Sequence, residues 1–203
     1  MGDEYFTAAI PEPTIIFGVK LLPLSLGRYR LLHRFGCEFV SDKSETCDAE
    51  SLITGIFICG MTCAEFLRIM DYSEAFKVQT AILRDRILQE VESDEYFSLY
   101  EKFGLFRAYI ADGSKAPPHF VEMENENHGT SHWSQSLELT LRHELHYTEA
   151  EIDEGPMAKA LADYFSWAES QGAVRLIHDG DLSGGEQNAE AFARAMKEAV
   201  CPA

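Results

Sequence analysis

The sequence lacks the short signatures that most directly identify an enzyme. It contains no G-x-x-x-x-G-K-[ST] loop that would cradle phosphates, no G-x-S-x-G nucleophile elbow and no papain-type cysteine context. Leu182-Ser-Gly-Gly-Glu186 is similar to the signature loop of ABC-type ATPases, but that loop acts only opposite a phosphate-binding glycine loop. We therefore predict a non-enzymatic protein that needs no cofactor.

Basic residues are scarce. The 203-residue chain has 17 lysines and arginines against 34 acidic residues, which gives a formal net charge of −17. Such a charge repels the phosphate backbone of nucleic acids and the surface of anionic membranes. The composition therefore predicts a protein partner, or self-association, rather than a nucleic acid or a membrane.

The charge is also unevenly distributed. Nine acidic residues lie between Glu122 and Glu154, where Arg142 is the single basic residue. The stretch from Thr14 to Cys37 has no acidic residue, and its basic residues are Lys20, Arg28, Arg30 and Arg34. Charge runs of this kind form solvated faces or orient a contact with a partner or another copy of the chain. The sequence leaves both interpretations open.

Two further absences bear on location. The five cysteines are an odd number in a chain whose first residues are acidic, unlike the basic start of a secretory signal. The longest uncharged stretch, Ser51 to Ala64, has 14 residues, fewer than the ~20 that span a bilayer. We therefore expect reduced thiols, a cytoplasmic location and a buried helix in that stretch.

Periodic apolar residues predict a mainly α fold of about seven helices with one or two short β-strands. Thr14 to Leu22 is predicted to be one strand, followed by a helix that Ser25 caps and that ends at Gly36. Further helices are predicted after caps at Asp48, Thr62, Ser93 or Asp94, and Thr148. Periodic apolar residues predict helices from Ser73 to about Val91 and after Ser131, Pro156 suits the first turn of another, and a last helix is predicted near Gly185 to Val200. Ala173 to Ile177 is predicted to be a second strand.

The prolines, glycines and asparagines between 112 and 131 predict a polar loop. We take this loop as a candidate boundary between an N-terminal subdomain, residues 1–111, with a strand and helices, and a C-terminal helical subdomain, residues 132–203. A single domain remains the alternative, because one core is common at this chain length.

Histidines provide the alternative functional hypothesis. His128 and His132 are four residues apart, and His143 and His146 are three apart, so the four side chains suggest a site for one metal ion in an enzyme or regulator. The metalloprotease helix needs its two histidines four apart with a glutamate after the first, which residues 143–146 do not provide. Polar surface histidines are the competing interpretation.

Two other groups have simpler structural explanations. Cys59 and Cys63 lie one helical turn apart in the most apolar segment, and no second cysteine pair completes a metal site, so we predict buried thiols. Asp153 and Glu154 lie near a predicted helix end, where helix electrostatics explains paired carboxylates without acid–base chemistry.

Two stretches resemble tail-assembly and tail-associated proteins of tailed phages and prophages. The first runs from Ile16 to Gly27 and continues through Leu31-Leu-His-Arg-Phe-Gly36 and Phe39-Val40, which resembles a strand, proline, loop and helix opening. The second runs from Leu145 to Gly172 and is similar to a segment with a turn, a proline and an amphipathic helix. Together they cover about a quarter of the chain.

The resemblance implies a tail chaperone-like protein that holds an aggregation-prone helical partner, such as a tape-measure helix, until assembly. That role requires an exposed apolar helical surface. The apolar faces near residues 17–35 and 97–106 are the predicted protein-binding surfaces, with the candidate residues Phe17, Leu26, Tyr29, Leu32, Phe35, Phe97, Tyr100, Phe103 and Phe106.

Overall fold

The fold is mainly helical, as the sequence predicts. A computed structural model describes residues 13–41, 48–71, 73–92, 96–121 and 132–177. The helices in this part of the chain are α1 (Leu26–Arg34), α2 (Ala49–Cys59), α3 (Cys63–Asp71), α4 (Ser73–Glu92), α5 (Tyr96–Gly113), α6 (Trp133–His143), α7 (Glu149–Glu154) and α8 (Met157–Ser170). The predicted helix from Gly185 to Val200 lies outside the described residues.

Helix starts follow the predicted caps. The side chain of Ser25 accepts a hydrogen bond from the Arg28 amide at the start of α1, and Asp48 accepts one from the Ser51 amide at the start of α2. Thr148 and Glu151 form the predicted capping box at α7. These short polar side chains satisfy amide groups that the first helical turn leaves without partners.

The predicted strand from Thr14 to Leu22 is instead a β-hairpin. Its strands, β1 (Ile15–Ile16) and β2 (Val19–Lys20), are antiparallel and pair Ile16 with Val19. Phe17 and Gly18 form the turn with φ angles of 50° and 71°. Two successive positive φ angles are typical of the turns that join two strands by two residues, because their twist matches that of the strands.

Part of the predicted polar loop forms regular secondary structure. Helix α5 continues to Gly113, and strand β3 (His119–Val121) pairs with β4 (Val174–Leu176) in an antiparallel arrangement. The strand β4 confirms the prediction for Ala173 to Ile177. The polar sequence around β3 concealed a three-residue strand, because so short a segment gives no periodic pattern.

The hydrophobic core contains residues from both sides of the candidate domain boundary. Leu32, Ile56 and Phe106 belong to the same cluster of buried side chains as Leu141 and Met157. Helix α1 packs against α2 and α7, and α6 packs against α8. The described helices before residue 112 and after residue 131 therefore share one core.

Candidate functional site

A buried arginine joins three segments of the chain. Arg28 projects from α1, and 1% of its surface is exposed. Its Nη1 donates to the backbone oxygen of Pro23 at 3.0 Å, and its Nε donates to that of Met61 at 3.2 Å. Its Nη2 forms an ion pair with the carboxylate of Glu154, at the end of α7. These bonds compensate the guanidinium for the water it loses on burial.

The second oxygen of Glu154 caps another helix. It accepts a hydrogen bond of 2.7 Å from the amide of Cys63, the first residue of α3. A carboxylate is favourable there, because the first amides of a helix carry partial positive charge. Glu154 therefore connects α1 with α3, and the helix end that its carboxylate stabilises is the start of α3 rather than an end of its own helix.

Backbone contacts hold α7 against the start of α1. The hydroxyl of Ser25 donates to the backbone oxygen of Asp153, which also lies 3.2 Å from the Cys63 thiol. The amide of Met157 donates to the backbone oxygen of Leu24 at 2.7 Å. Burial, with Glu149 nearby, raises the pKa of the Asp153 carboxyl above its usual range.

Gly27 permits this close approach, because a Cβ at this position would lie 2.8 Å from both the Cα and the backbone oxygen of Asp153. We expect Gly27→Ala to lower the free energy of unfolding by about 1–3 kcal/mol, because the obstacle is backbone and cannot rotate away. The ~1 kcal/mol gain in helix propensity opposes but does not remove this loss. Urea denaturation measures the change.

Gly104 is the matched control for Gly27. It also lies inside a helix, and a Cβ there would meet no atom within 4 Å. We expect Gly104→Ala to stabilise the protein by up to ~1 kcal/mol. Equal stabilisation by both substitutions would contradict the proposed contact between Gly27 and Asp153.

An open groove lies directly above this junction, and we call it the basic groove. It has a volume of about 470 Å³. Helix α1 forms one wall, the start of α6 forms another, and Cys63 and Asp153 lie on its lining. Its lining also includes the side chains of Tyr29, Arg30, His33, Arg34, Leu67 and His132.

Aromatic rings join α1 to α6 along the groove. The ring centroids of Tyr29 and Trp133 are 5.1 Å apart, and those of His33 and His132 are also 5.1 Å apart. His132 caps α6, because its Nδ1 accepts a hydrogen bond from the Ser134 amide at 3.4 Å. Offset and tilted ring pairs at this spacing are attractive, so this wall of the groove is built from packed rings.

Charged side chains on the groove differ in their partners. Arg30 pairs with Glu138 of α6, and the same carboxylate accepts a 2.9 Å hydrogen bond from Arg142. Arg34 lies in the last turn of α1 and is exposed. No ion pair of Arg34 occurs within the described ranges.

A second groove, about 280 Å³ in volume, is more apolar. It lies between the hairpin, α2 and α4, and its lining includes Val19, Ile56, Phe57, Met61 and Ile82. Arg86 is the charged residue on its lining. This groove and the basic groove are separate, since their linings share no residue.

The structure divides the predicted protein-binding residues into two groups. Four belong to the core and are not accessible to a partner: Phe17, Leu26, Leu32 and Phe106. Their apolar faces are helix and hairpin faces that pack inward, which a sequence period alone does not distinguish from an exposed stripe. For these four residues the prediction of a binding surface is wrong.

The other predicted binding residues are more accessible. Tyr29 lines the basic groove, and Phe35 is exposed next to Phe66, with ring centroids 5.3 Å apart. Tyr100 is exposed on α5, and Phe103 stacks on Phe39. The side chain of Phe97 lies outside the described residues.

The histidines described by the structure do not converge. His132 precedes α6 and His143 ends it, so at about 1.5 Å per residue they are separated by roughly 16 Å along the helix axis. His146 follows with a positive φ of 56°, and His128 lies outside the described residues. Within the described ranges, no group of three or more histidine, cysteine, aspartate or glutamate side chains could hold a metal ion.

The cysteines of the apolar segment are buried, as predicted. Burial raises the pKa of the Cys59 thiol to about 12 and that of the Cys63 thiol to about 11. Both thiols therefore stay protonated near neutral pH, and a protonated thiol is a weak nucleophile. Cys59 and Cys63 act as small apolar side chains in this fold.

No single helix in the described part of the chain is long and apolar enough to cross a membrane. The pair α2 and α3 reaches the required length and composition only when taken together, and the two helices meet at a bend of 115°. Most of the apolar side chains of α2 are buried in the core.

Comparisons with known proteins give no relative. A scan against protein-family models, a search of curated proteins and a search of solved structures each found no match.

Sequence reasoning missed most of the basic groove. It named Tyr29 as a protein-binding candidate, His132 as a candidate metal ligand and Arg34 as part of a basic stretch, but it gave no individual role to His33 or Leu67. The available signal was the acid-free stretch from Thr14 to Cys37, which contains all of α1. That stretch predicted a locally basic surface without indicating which helices would face it.

Proposed function

We propose that the chain is a non-enzymatic binding protein that holds a helical segment of a protein partner in the basic groove. One observation carries this proposal: apolar side chains border an open groove and are themselves accessible. Leu67 on the lining is 47% exposed, and the neighbouring Trp133 is 43% exposed. An amphipathic helix binds such a groove by inserting side chains that repeat every three or four residues.

The groove walls support this kind of partner because they are held in place. The ion pair of Arg28 and Glu154 fixes α1 against α3, and the ring pairs fix α1 against α6. A preformed groove loses less conformational entropy on binding than a mobile one. In the setting that the resemblance to tail-assembly proteins implies, the partner is a long helical tail component held until assembly.

The test uses a synthetic amphipathic helical peptide with one leucine stripe, labelled for fluorescence anisotropy. A length of about 18 residues suits it, because isolated helices shorter than ~12–15 residues are marginal in water. We expect Leu67→Asp to weaken binding by about tenfold or more, because a charge replaces an apolar contact at the groove.

Leu139→Asp is the matched control for Leu67→Asp. Leu139 is 57% exposed on α6 and is not on the groove lining. We expect this variant to bind the peptide like the unaltered chain. Equal loss in both variants, or no peptide binding at all, would refute the proposed function. A self-association that Leu67→Asp alone abolishes, measured by sedimentation, would identify a second copy as the occupant.

A further inference from the structure

We infer that the helical segment which the basic groove accepts is acidic, with a carboxylate that contacts Arg34. This inference rests on the proposed function and specifies the chemistry of the partner. It arises from the contrast between a chain with a net charge of −17 and a groove in which α1, the helix that contributes most of the lining, has no acidic residue.

The partners of each arginine on α1 identify Arg34 as the contact. The guanidinium of Arg28 is buried against Glu154, and that of Arg30 is paired with Glu138. Arg34 lies on the groove lining in an exposed position, and the described ranges supply no carboxylate to it. A guanidinium binds carboxylates in a planar, two-point geometry, so a glutamate or aspartate is the side chain that it matches.

The rest of the groove fits the same segment. The charged groups on its lining are Arg30, Arg34 and Asp153, and the neutral lining includes Tyr29 and Leu67. An amphipathic helix that places leucines on Tyr29 and Leu67 would bring its flanking residues towards the arginines of α1. Acidic flanks meet charges of opposite sign there, whereas lysine flanks meet charges of the same sign.

The overall negative charge of the chain does not exclude an acidic partner from the groove. At physiological salt the field of a distant exposed charge decays over ~8 Å, so contacts within the groove dominate. A basic helix is attracted to acidic surface elsewhere on the chain, and this attraction does not depend on the groove. The two kinds of peptide are therefore distinguished by where they bind: the acidic helix in the groove, and the basic helix on acidic surface outside it.

The experiment compares two synthetic peptides of about 18 residues that share one leucine stripe and differ only in flanking glutamates or lysines. Binding to the full chain is measured at physiological salt by anisotropy. We expect the glutamate peptide to bind in the groove, so that Leu67→Asp weakens it about tenfold. We expect Arg34→Glu to weaken it about 5- to 20-fold and Arg34→Gln less, in the same direction.

Arg86→Glu is the control, because Arg86 lies on the other groove and the substitution changes net charge equally. Equal weakening by Arg34→Glu and Arg86→Glu would overturn the inference. Groove-dependent binding of the lysine peptide, as tight as that of the glutamate peptide, would overturn the inference and leave the proposed function standing. Failure of both peptides to bind would overturn both.

Discussion

Replacing Arg28 by methionine is expected to lower the free energy of unfolding by about 2–4 kcal/mol, because the buried guanidinium is lost from an ion pair whose other partner, Glu154, is 32% exposed. Methionine fills much of the same space but donates no hydrogen bond. The backbone oxygens of Pro23 and Met61 lose their donors, and Glu154 loses its counter-ion. Urea denaturation at neutral pH measures the change as a shift of the midpoint.

Arg84→Met tests whether the large expected effect of Arg28→Met is due to the burial of Arg28. Arg84 also forms an ion pair, with Glu50, but both side chains are exposed. Exposed pairs contribute little because water and salt screen them. We expect no measurable change in the denaturation midpoint for Arg84→Met. A similar small effect for Arg28→Met would show that Arg28 does not hold the three segments together.

We expect Arg28 to affect the proposed binding function indirectly, through the position of the groove walls. It connects α1 with the Pro23 loop, with Met61 just before α3 and with the end of α7. The walls of the basic groove are α1, α3 and α6, so loss of this ion pair is expected to loosen the groove as well as the fold. Arg28 is therefore one of the side chains that connect the groove walls to the rest of the fold.

Local features of the fold were predictable from the sequence. Ser25, Asp48 and the capping box at Thr148 act within three residues of the helix that each begins. Such contacts depend on sequence spacing alone, and the prediction of a mainly helical fold is confirmed for that reason. Gly36 confirms the same point at a helix end, with a φ of 66°.

Features that join distant residues were not predictable. Arg28 and Glu154 are 126 positions apart, and strand β3 pairs with a strand more than fifty residues later. Neither the ion pair nor the strand pairing can be read from the sequence next to either partner. The histidines show the opposite error, because His132 and His143 are close in sequence but lie at opposite ends of α6. Position in space, and not spacing in sequence, decides which side chains share a site.

The apolar faces show why four of the nine predicted binding residues are core residues. An apolar stripe packs against a partner helix within the same fold or against another protein, and the periodicity is the same in both cases. Phe106 has no exposed surface, whereas Tyr100 on the same helix is 77% exposed. The difference depends on which face of α5 meets α2, and that contact is set by the whole fold.

Phe106→Ala is the second substitution with a large expected effect. The ring of Phe106 packs edge-on against Phe39, with centroids 4.9 Å apart, and stacks on the ring of Tyr109, with centroids 5.6 Å apart. Its removal leaves a cavity between α5 and α2, so we expect the free energy of unfolding to fall by about 3–5 kcal/mol. Tyr100→Ala on the same helix is the control, and we expect a change within about 0.5 kcal/mol.

Gly55 provides a stricter test of this contact. A Cβ at Gly55 would lie 2.5 Å from Cζ of Phe106, so Gly55→Ala alone is expected to destabilise the protein by about 1–3 kcal/mol, less the ~1 kcal/mol gain in helix propensity. In the Phe106→Ala background the obstacle is gone, and the same substitution then fills space. We expect Gly55→Ala to be neutral or stabilising in that background, because substitutions of two residues in contact have non-additive effects. Additive effects in the double variant, measured by urea denaturation, would show that α2 and α5 do not meet through Gly55 and Phe106.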